Sequence, residues 1–318
     1  MKLLKKSKFL RYYIWNKIAR NIRNSEDCKI IKGLKMVGIF PYVIINYLIF
    51  WIPIREHKSY PIEYAIVAII KNEASYIEEW IEYHKKIGIQ KFYIYDNESE
   101  DNVKAILDCY IKSGVVDYTY WPGRKQQCFA YNDAVEKHKN ICKYMAIIDL
   151  DEFILPINTG KIDDIGYFMN KYNNGHIGGI AIHWCCFGSS GHISRPDGGV
   201  INNYCYRAND DFVNHVAVKT IFNPRKIIAV TNPHFPCYRH MIWSVNENGL
   251  KVMGALDRDI SYSRFRINHY FCKSKEECKL KFDRGMADVD GKRKWDTFIE
   301  YDRNEIYDIE IKKVLEKD

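Results

Sequence analysis

Three carboxylates, Asp149, Asp151 and Glu152, stand directly behind an apolar run in the stretch KYMAIIDLDEFILP. A carboxylate pushed toward a dry interior costs several kcal/mol unless a cation or a set of donors compensates it. Two kinds of partner answer that cost: a divalent metal ion, or a salt bridge to lysine or backbone amides. If the apolar run is a strand, Asp149 and Asp151 occupy positions i and i+2 and project to the same side. Oxygen ligands of this type suit Mg2+ or Mn2+, which keep positions open for substrate phosphates. An Asp-x-Asp alone carries little weight, since Asp257-Arg-Asp259 and Asp288-Val-Asp290 repeat the spacing and are assigned no metal. What separates Asp149-Leu-Asp151 is its place at the end of a buried strand.

The elements that must position these groups alternate from Tyr64 onward. YAIVAII reads as a buried strand, and SYIEEWIEYHKKIG puts Ile77, Trp80, Ile81, His84 and Ile87 on one helical face. KFYIYD is a second strand, and DNVKAILDCYIKSG a helix opened by Asp101 and closed by Gly114. VVDYTYW is a third strand, QCFAYNDAVEKH a helix and YMAIID a fourth strand. This alternation describes an α/β fold with a mostly parallel central sheet and helices on both faces. Ligands in such sheets bind beyond the carboxyl ends of the strands. Polar groups gather at those ends: Lys71, Asn72 and Glu73 after the first, YDNESED after the second, WPGRKQQ after the third and DLDE after the fourth. Asp96 is placed to accept from a base N–H, with Asn97, Ser99 and Asp101 near it, although Asp101 also reads as a helix cap. Gly123 and Arg124 are placed to approach a diphosphate, or form a simple turn.

At 318 residues and 47% hydrophobic composition, the chain is long enough for a large core, which excludes a disordered chain. The 24 tyrosines and 7 tryptophans supply amphipathic surface of the kind that stacks on sugars or bases. The net charge of +8 is uneven: residues 1–35 hold 11 Lys/Arg against Glu26 and Asp27, leaving the rest near neutral. Binding duplex nucleic acid would need that charge on the folded body, so no nucleic-acid partner is expected; an anionic membrane surface is. Leu3, Leu10, Ile14, Ile18 and Ile22 recur at helical spacing among lysines and arginines, as in a basic amphipathic helix. The 19 uncharged residues 36–54 approach the ~20 that span a bilayer, but Gly38, Pro41, Asn46 and Pro53 favour a membrane-surface or re-entrant element. The expected organisation is a membrane-associating segment over 1–58 and a catalytic domain over 59–318. The lone N-x-S/T sequon, Asn97-Glu98-Ser99, falls in the ligand-facing loop after the second strand, where a glycan would obstruct. A cytoplasmic domain peripheral to a bacterial inner (plasma) membrane is therefore expected. Ten cysteines without a CxxC or regular spacing fit reduced thiols.

Several stretches, among them AIVAIIKNEASYIEEWIEYHKKIGIQKFYIYDNESEDN, YMAIIDLDEFILP, IHWCCFGSSGH and INHYFCKSKEECKLKFDRGMAD, occur in the order found in glycosyltransferase family 92. The resemblance runs from about Tyr64 to about Asp308, and its tail, His269-Tyr270, Lys273-Ser274 and Arg284-Gly285, is specific. It implies a Rossmann-like GT-A fold that uses a UDP-sugar, UDP-galactose in animal members, with inversion at the anomeric carbon. It further implies that Asp149 and Asp151 grip Mn2+ or Mg2+ and the donor diphosphate. Asn72, Glu73 and Asp96 match the nucleoside-side loops, and Gln127, Tyr131 and Asn132 the helix before the metal strand. Where the family pattern carries a Glu shortly after the FGSSG loop, this chain has Asn202. His269 is expected as a third metal ligand, with His234 its competitor, and Lys219 and Arg124 as phosphate contacts. Trp184 is expected to stack on a sugar at the acceptor side. The expected base is Asp211, which follows the acceptor loop, with Asp210, Glu247 and Asp257 as alternatives. The acceptor would be a glycan or glycolipid in surface polysaccharide or lipopolysaccharide synthesis. A metal-dependent phosphoesterase and a non-catalytic nucleotide-sugar-binding module are the rival readings; the first should show clustered histidines, and here they are scattered.

Overall fold

The computed structural model describes residues 37–38, 56–57, 59–171, 175–239, 241–285 and 293–316. The expected amphipathic arm and nearly all of the apolar stretch lie outside these residues. Among the described residues no helix is long and apolar enough to cross a membrane.

Strands and helices alternate through the first half: β1 (Ile62–Ile70), α1 (Ile77–Ile87), β2 (Lys91–Asp96), α2 (Val103–Lys112), β3 (Val116–Tyr120), α3 (Gln127–His138) and β4 (Cys142–Ile147). The second half runs β5 (Glu152–Pro156), α4 (Asp163–Lys171), β6 (Ile177–Cys186), α5 (Val200–Asn203), β7 (Tyr206–Arg207), β8 (Val218–Phe222), β9 (Ile227–Ala229) and β10 (Cys237–Tyr238). It ends with β11 (Trp243–Val245), β12 (Lys251–Val252), β13 (Phe265–His269), α6 (Lys275–Arg284), α7 (Trp295–Tyr301), β14 (Ile306–Tyr307) and α8 (Glu310–Glu316).

Strand order in the main sheet is β12-β11-β6-β8-β4-β1-β2-β3, with β13 joining β6 and β5 joining β13. The β4-β1-β2-β3 half is parallel, as expected. Beyond β4 the sheet is mixed: β8 runs antiparallel to both β4 and β6, and β13 antiparallel to β5. Period-two alternation sorts the β1 side chains. Ile66, Ala68 and Ile70 enter the core with Trp80, Ile81 and Leu107, while Ala65, Val67 and Ile69 face Ala130, Tyr131 and Ala134 of α3. Helices thus cover both faces of the parallel half. Each fully buried large apolar side chain in these layers contributes about 1.5–3 kcal/mol.

Among the described residues no strand lies beside the edge of β5 away from β13, so its backbone polar groups need other partners. Helix α1 supplies them: Trp80 Nε1 donates to Glu152 O at 2.8 Å, Tyr83 hydroxyl to Ile154 O at 2.8 Å, and Ile154 N donates to His84 Nε2 at 3.2 Å. Burial holds the His84 ring at about 3, far below its usual value, so it is neutral and can accept.

Candidate active site

The carboxyl ends of β1 to β4 open into one cleft of about 850 Å3. Its near wall is Lys71, Asn72 and Glu73 after β1, Asn97 and Glu98 after β2, Gly123, Arg124 and Lys125 after β3, and Asp149 to Asp151 after β4. Its far wall includes Trp184, His234, His269, Lys273, Lys281 and Arg284. Strand order reverses between β1 and β4, so the cleft sits at the topological switch point of the sheet. Eight lysines and arginines line it against five carboxylates, a balance suited to an anionic ligand. Asn72 ties two rim loops together, since its backbone N–H donates to Ser99 Oγ at 2.9 Å and its Oδ1 accepts from Glu100 N at 2.7 Å. Asn72 does so at φ 57°, a left-handed conformation that asparagine tolerates.

Asp149 and Asp151 lie in the turn between β4, which stops at Ile147, and β5. The strand itself does not carry them, contrary to expectation, because the chain must reverse there to pair β5 with β13. Asp149 Oδ2 accepts from Lys219 Nζ at 2.9 Å, and Oδ1 accepts from Gln127 Nε2 at 3.1 Å and the Tyr131 hydroxyl at 3.3 Å. Burial alone would raise the Asp149 carboxyl, but Lys219 outweighs it and holds the group below its usual range. Glu152 is fully buried; Oε1 accepts from Trp184 Nε1 at 2.8 Å and Oε2 from Asp149 N at 2.9 Å, with Lys219 Nζ 3.3 Å away. Burial pushes Glu152 up to about 8, helped by Asp149 and Asp151 and opposed by Lys219.

Asp151 Oδ2 accepts from Lys281 Nζ at 2.5 Å and lies 3.7 Å from His269 Nε2. Burial works against its ionised form, yet Lys281 and His269 hold it well below the usual carboxylate range. Three residues on from Lys281, Arg284 pairs with Glu73 at 2.8 Å and donates to Lys71 O. His234, also in the cleft, is brought down to about 3 by burial and the nearby Lys219. Its Nδ1 meets Val218 O at 3.1 Å, and a carbonyl only accepts, so Nδ1 carries the proton and Nε2 keeps its lone pair.

These residues fit a Mg2+ or Mn2+ held through two aspartates and the phosphates of a substrate. Asp149 leaves 36% of its side chain exposed, and His269, beside Asp151, has a buried Nδ1 without a hydrogen-bond partner among the described residues. Among the described residues no three His, Cys, Asp or Glu side chains converge as a ready-made ligand cage, so the remaining positions fall to substrate and water. The Lys281 ammonium shares Asp151 with any such ion or leaves it.

Of the residues singled out from sequence, Asn72, Glu73, Arg124, Gln127, Asp149, Asp151, His234, His269 and Trp184 all line this cleft. Three do not. Lys219 is 1% exposed and spends its ammonium on Asp149, Glu152 and Pro233 O, so it is the counter-charge of the acidic turn rather than a phosphate contact. Asp96 is buried and accepts from Ser99 N at 2.9 Å and the Tyr118 hydroxyl at 2.5 Å, which fixes the loop after β2. Asp211 is exposed and outside the cleft lining. The chain around it is drawn toward the C-terminal segment, where Ser189 N donates to Asp302, Ser190 N to Asn304 and Arg207 pairs with Asp308. Trp184 turns its N–H to Glu152 and packs its ring 3.9 Å from that of His269. The sequence reading missed Lys281 and Arg284 as site residues. A signal was present: Ser274 and Glu277 form a capping box that starts α6, and Lys281 and Arg284 share one face of that helix.

The fold and site define an α/β domain with a basic, carboxylate-tipped cleft at a sheet switch point. A model of glycosyltransferase family 92 matches residues 67–281, and the chain belongs to that family. A family 92 protein of Oryza sativa subsp. japonica is 27% identical over 225 residues, covering 70% of this chain and 35% of that one. One of Ricinus communis is 29% identical over 229 residues, 71% of this chain and 38% of its own. The chain thus spans little more than a third of the length of these curated relatives. Among solved structures, S. aureus TarS 1-349 in complex with UDP aligns with a TM-score of 0.35 at 13% identity, over 51% of this chain and 47% of its own. The mannosyltransferase PcManGT from Pyrobaculum calidifontis, in complex with GDP-Man and Mn2+, gives 0.34 at 13%, over 71% and 68%. Both are too distant for their ligands to bear on this chain.

Proposed function

We propose that the protein is a metal-dependent, inverting glycosyltransferase that moves a sugar from a UDP-sugar to a glycan or glycolipid. One observation carries this reading: four strand ends bring Asp149 and Asp151 into a cleft that is otherwise rich in lysine and arginine. A nucleoside diphosphate needs both features, cations along its phosphates and carboxylates to hold an ion between them. The loops after β1 and β2 offer the nucleoside side with Asn72, Glu73 and Asn97, and Arg124 after β3 offers a charge to the diphosphate. The cations of α6 face the diphosphate side. A bound Mg2+ or Mn2+ supplies charge neutralisation of the leaving diphosphate. Asp149, fixed by Lys219, Gln127 and Tyr131, presents its carboxylate to the cleft in one orientation. The acceptor hydroxyl gives up its proton as it attacks the anomeric carbon from the face opposite the diphosphate. Glu73, Glu98 and Glu277 are the other carboxylates lining the cleft, and they precede Asp211 as candidates for that proton.

The proposal extends to location: the basic composition of residues 1–35 supports a site on the cytoplasmic side of an inner or plasma membrane, and a lipid-borne or surface-glycan acceptor accords with that setting. The test of the reaction is UDP release from a panel of UDP-sugars, UDP-galactose among them, with Mn2+ or with chelator, for wild type and Asp151→Asn. Release should depend on the ion and fall about a hundredfold or more in the variant. Phosphate release without a sugar donor would instead favour a phosphoesterase.

A further inference from the structure

Lys281 occupies an unusual position for a surface lysine. Its Nζ lies 2.5 Å from Asp151 Oδ2 and 3.1 Å from Phe271 O, over the Phe271 ring at 4.1 Å. Its side chain is 20% exposed and lines the cleft. The backbone beneath it is anchored, because the Ser274–Glu277 capping box fixes the start of α6 and Cys278 and Phe282 bury its underside. Only the four-carbon stem is free to move, and a lysine carries its charge as a compact ammonium with three rotatable donors. The other lysine of the acidic turn differs in each respect. Lys219 is 1% exposed, is absent from the cleft lining and is bound on three sides. One ammonium is built in and the other sits at the cleft surface on the carboxylate that a metal ion would need.

We propose that Lys281 is an exchangeable cation of the donor site: it covers Asp151 while the cleft is empty, yields that carboxylate to a divalent ion, and moves its ammonium onto the donor's diphosphate. The inference rests on the glycosyltransferase reading and adds to it a competition between a side chain and the ion. Like charges repel, so ion and ammonium cannot both remain close to Asp151 unless an anion joins them. The incoming diphosphate is that anion. Arg284, held on Glu73 by the same helix, extends the cationic surface alongside.

The competition gives two effects of opposite sign. In Lys281→Met, Mn2+ binding without nucleotide, followed by electron paramagnetic resonance of the free ion, should tighten about tenfold. UDP binding at saturating Mn2+, followed by calorimetry, should weaken about tenfold. Lys281→Arg, which keeps the charge, should restore most of the UDP affinity and leave Mn2+ binding weak. Lys281→Gln serves as a second neutral variant should the methionine variant fold poorly. Mn2+ affinity that is unchanged or lower in the neutral variants overturns the proposal, as does unchanged UDP affinity. A wild-type protein that binds no UDP overturns the glycosyltransferase reading itself, whereas UDP bound equally by wild type and Lys281→Met removes only the role of Lys281.

Discussion

Glu152 is the member of the acidic turn that stays out of the cleft, yet donors meet both of its oxygens. Its proton affinity gives a stability signature. Burial raises the folded-state carboxyl to about 8 against an ordinary 4.5, so between those values the folded chain keeps a proton that the unfolded chain has lost. The associated stability is fully present below about pH 4.5 and is lost as pH rises toward 8, by up to about 1.4 kcal/mol per pH unit. Glu152→Gln lacks this term. Urea midpoints from pH 5 to 8 should therefore show wild type falling relative to the variant, and a constant difference would contradict the assignment. Residue types at strand ends were readable from sequence, since Asp149, Asp151, Asn72, Glu73 and Arg124 all reach the cleft. Their partners were not. Lys219 lies on β8, where all five residues are buried. Whether such a lysine faces a ligand or a carboxylate depends on the antiparallel β4–β8 pairing, which no local pattern encodes. Asp211 illustrates the same limit, because proximity in chain order to the FGSSG loop did not translate into proximity to the site.

At the scale of elements, the parallel half was legible because each piece advertises its own period. Strands of five to nine residues make it up, β1 alternates between two cores, and α1 buries Ile77, Trp80, Ile81, His84 and Ile87 on the face expected of it, with Tyr83 added. The second half was much less so. Strands such as β7, β10, β12 and β14 have two residues each, too few to show any period, and β6 is buried along its whole length. Such strands exist through long-range pairing. Helix α6 is the exception, with its capping box visible in chain order. The N-terminal arm is an element proposed from sequence alone, and its 11 basic residues within 1–35 argue for anionic lipid at about 1 kcal/mol per side chain near the surface. Removing residues 1–55 should abolish flotation with phosphatidylserine-containing vesicles, and undiminished flotation would assign membrane attachment to the folded domain instead.

Across the whole molecule, charge is divided by role. Residues 1–35 carry more positive charge than the whole chain's net of +8, leaving the rest close to neutral, and eight of its lysines and arginines line the cleft. At its floor the fold sets two half-buried aspartates against two lysines, Lys219 buried behind them and Lys281 at the cleft surface, so that the acidic turn is charge-balanced before any ligand arrives. An empty acidic turn would carry uncompensated negative charge at the centre of the sheet, with a cost of several kcal/mol. The most direct measurement is a crystal structure grown with Mn2+ and a UDP-sugar, with the ion located by its anomalous scattering. The account predicts Mn2+ bound to Asp149 or Asp151 and bridging to the diphosphate, with the nucleoside over the ends of β1 to β3. Ion and nucleotide found elsewhere, or a nucleotide in the cleft with Lys281 still on Asp151 and no ion, would contradict it.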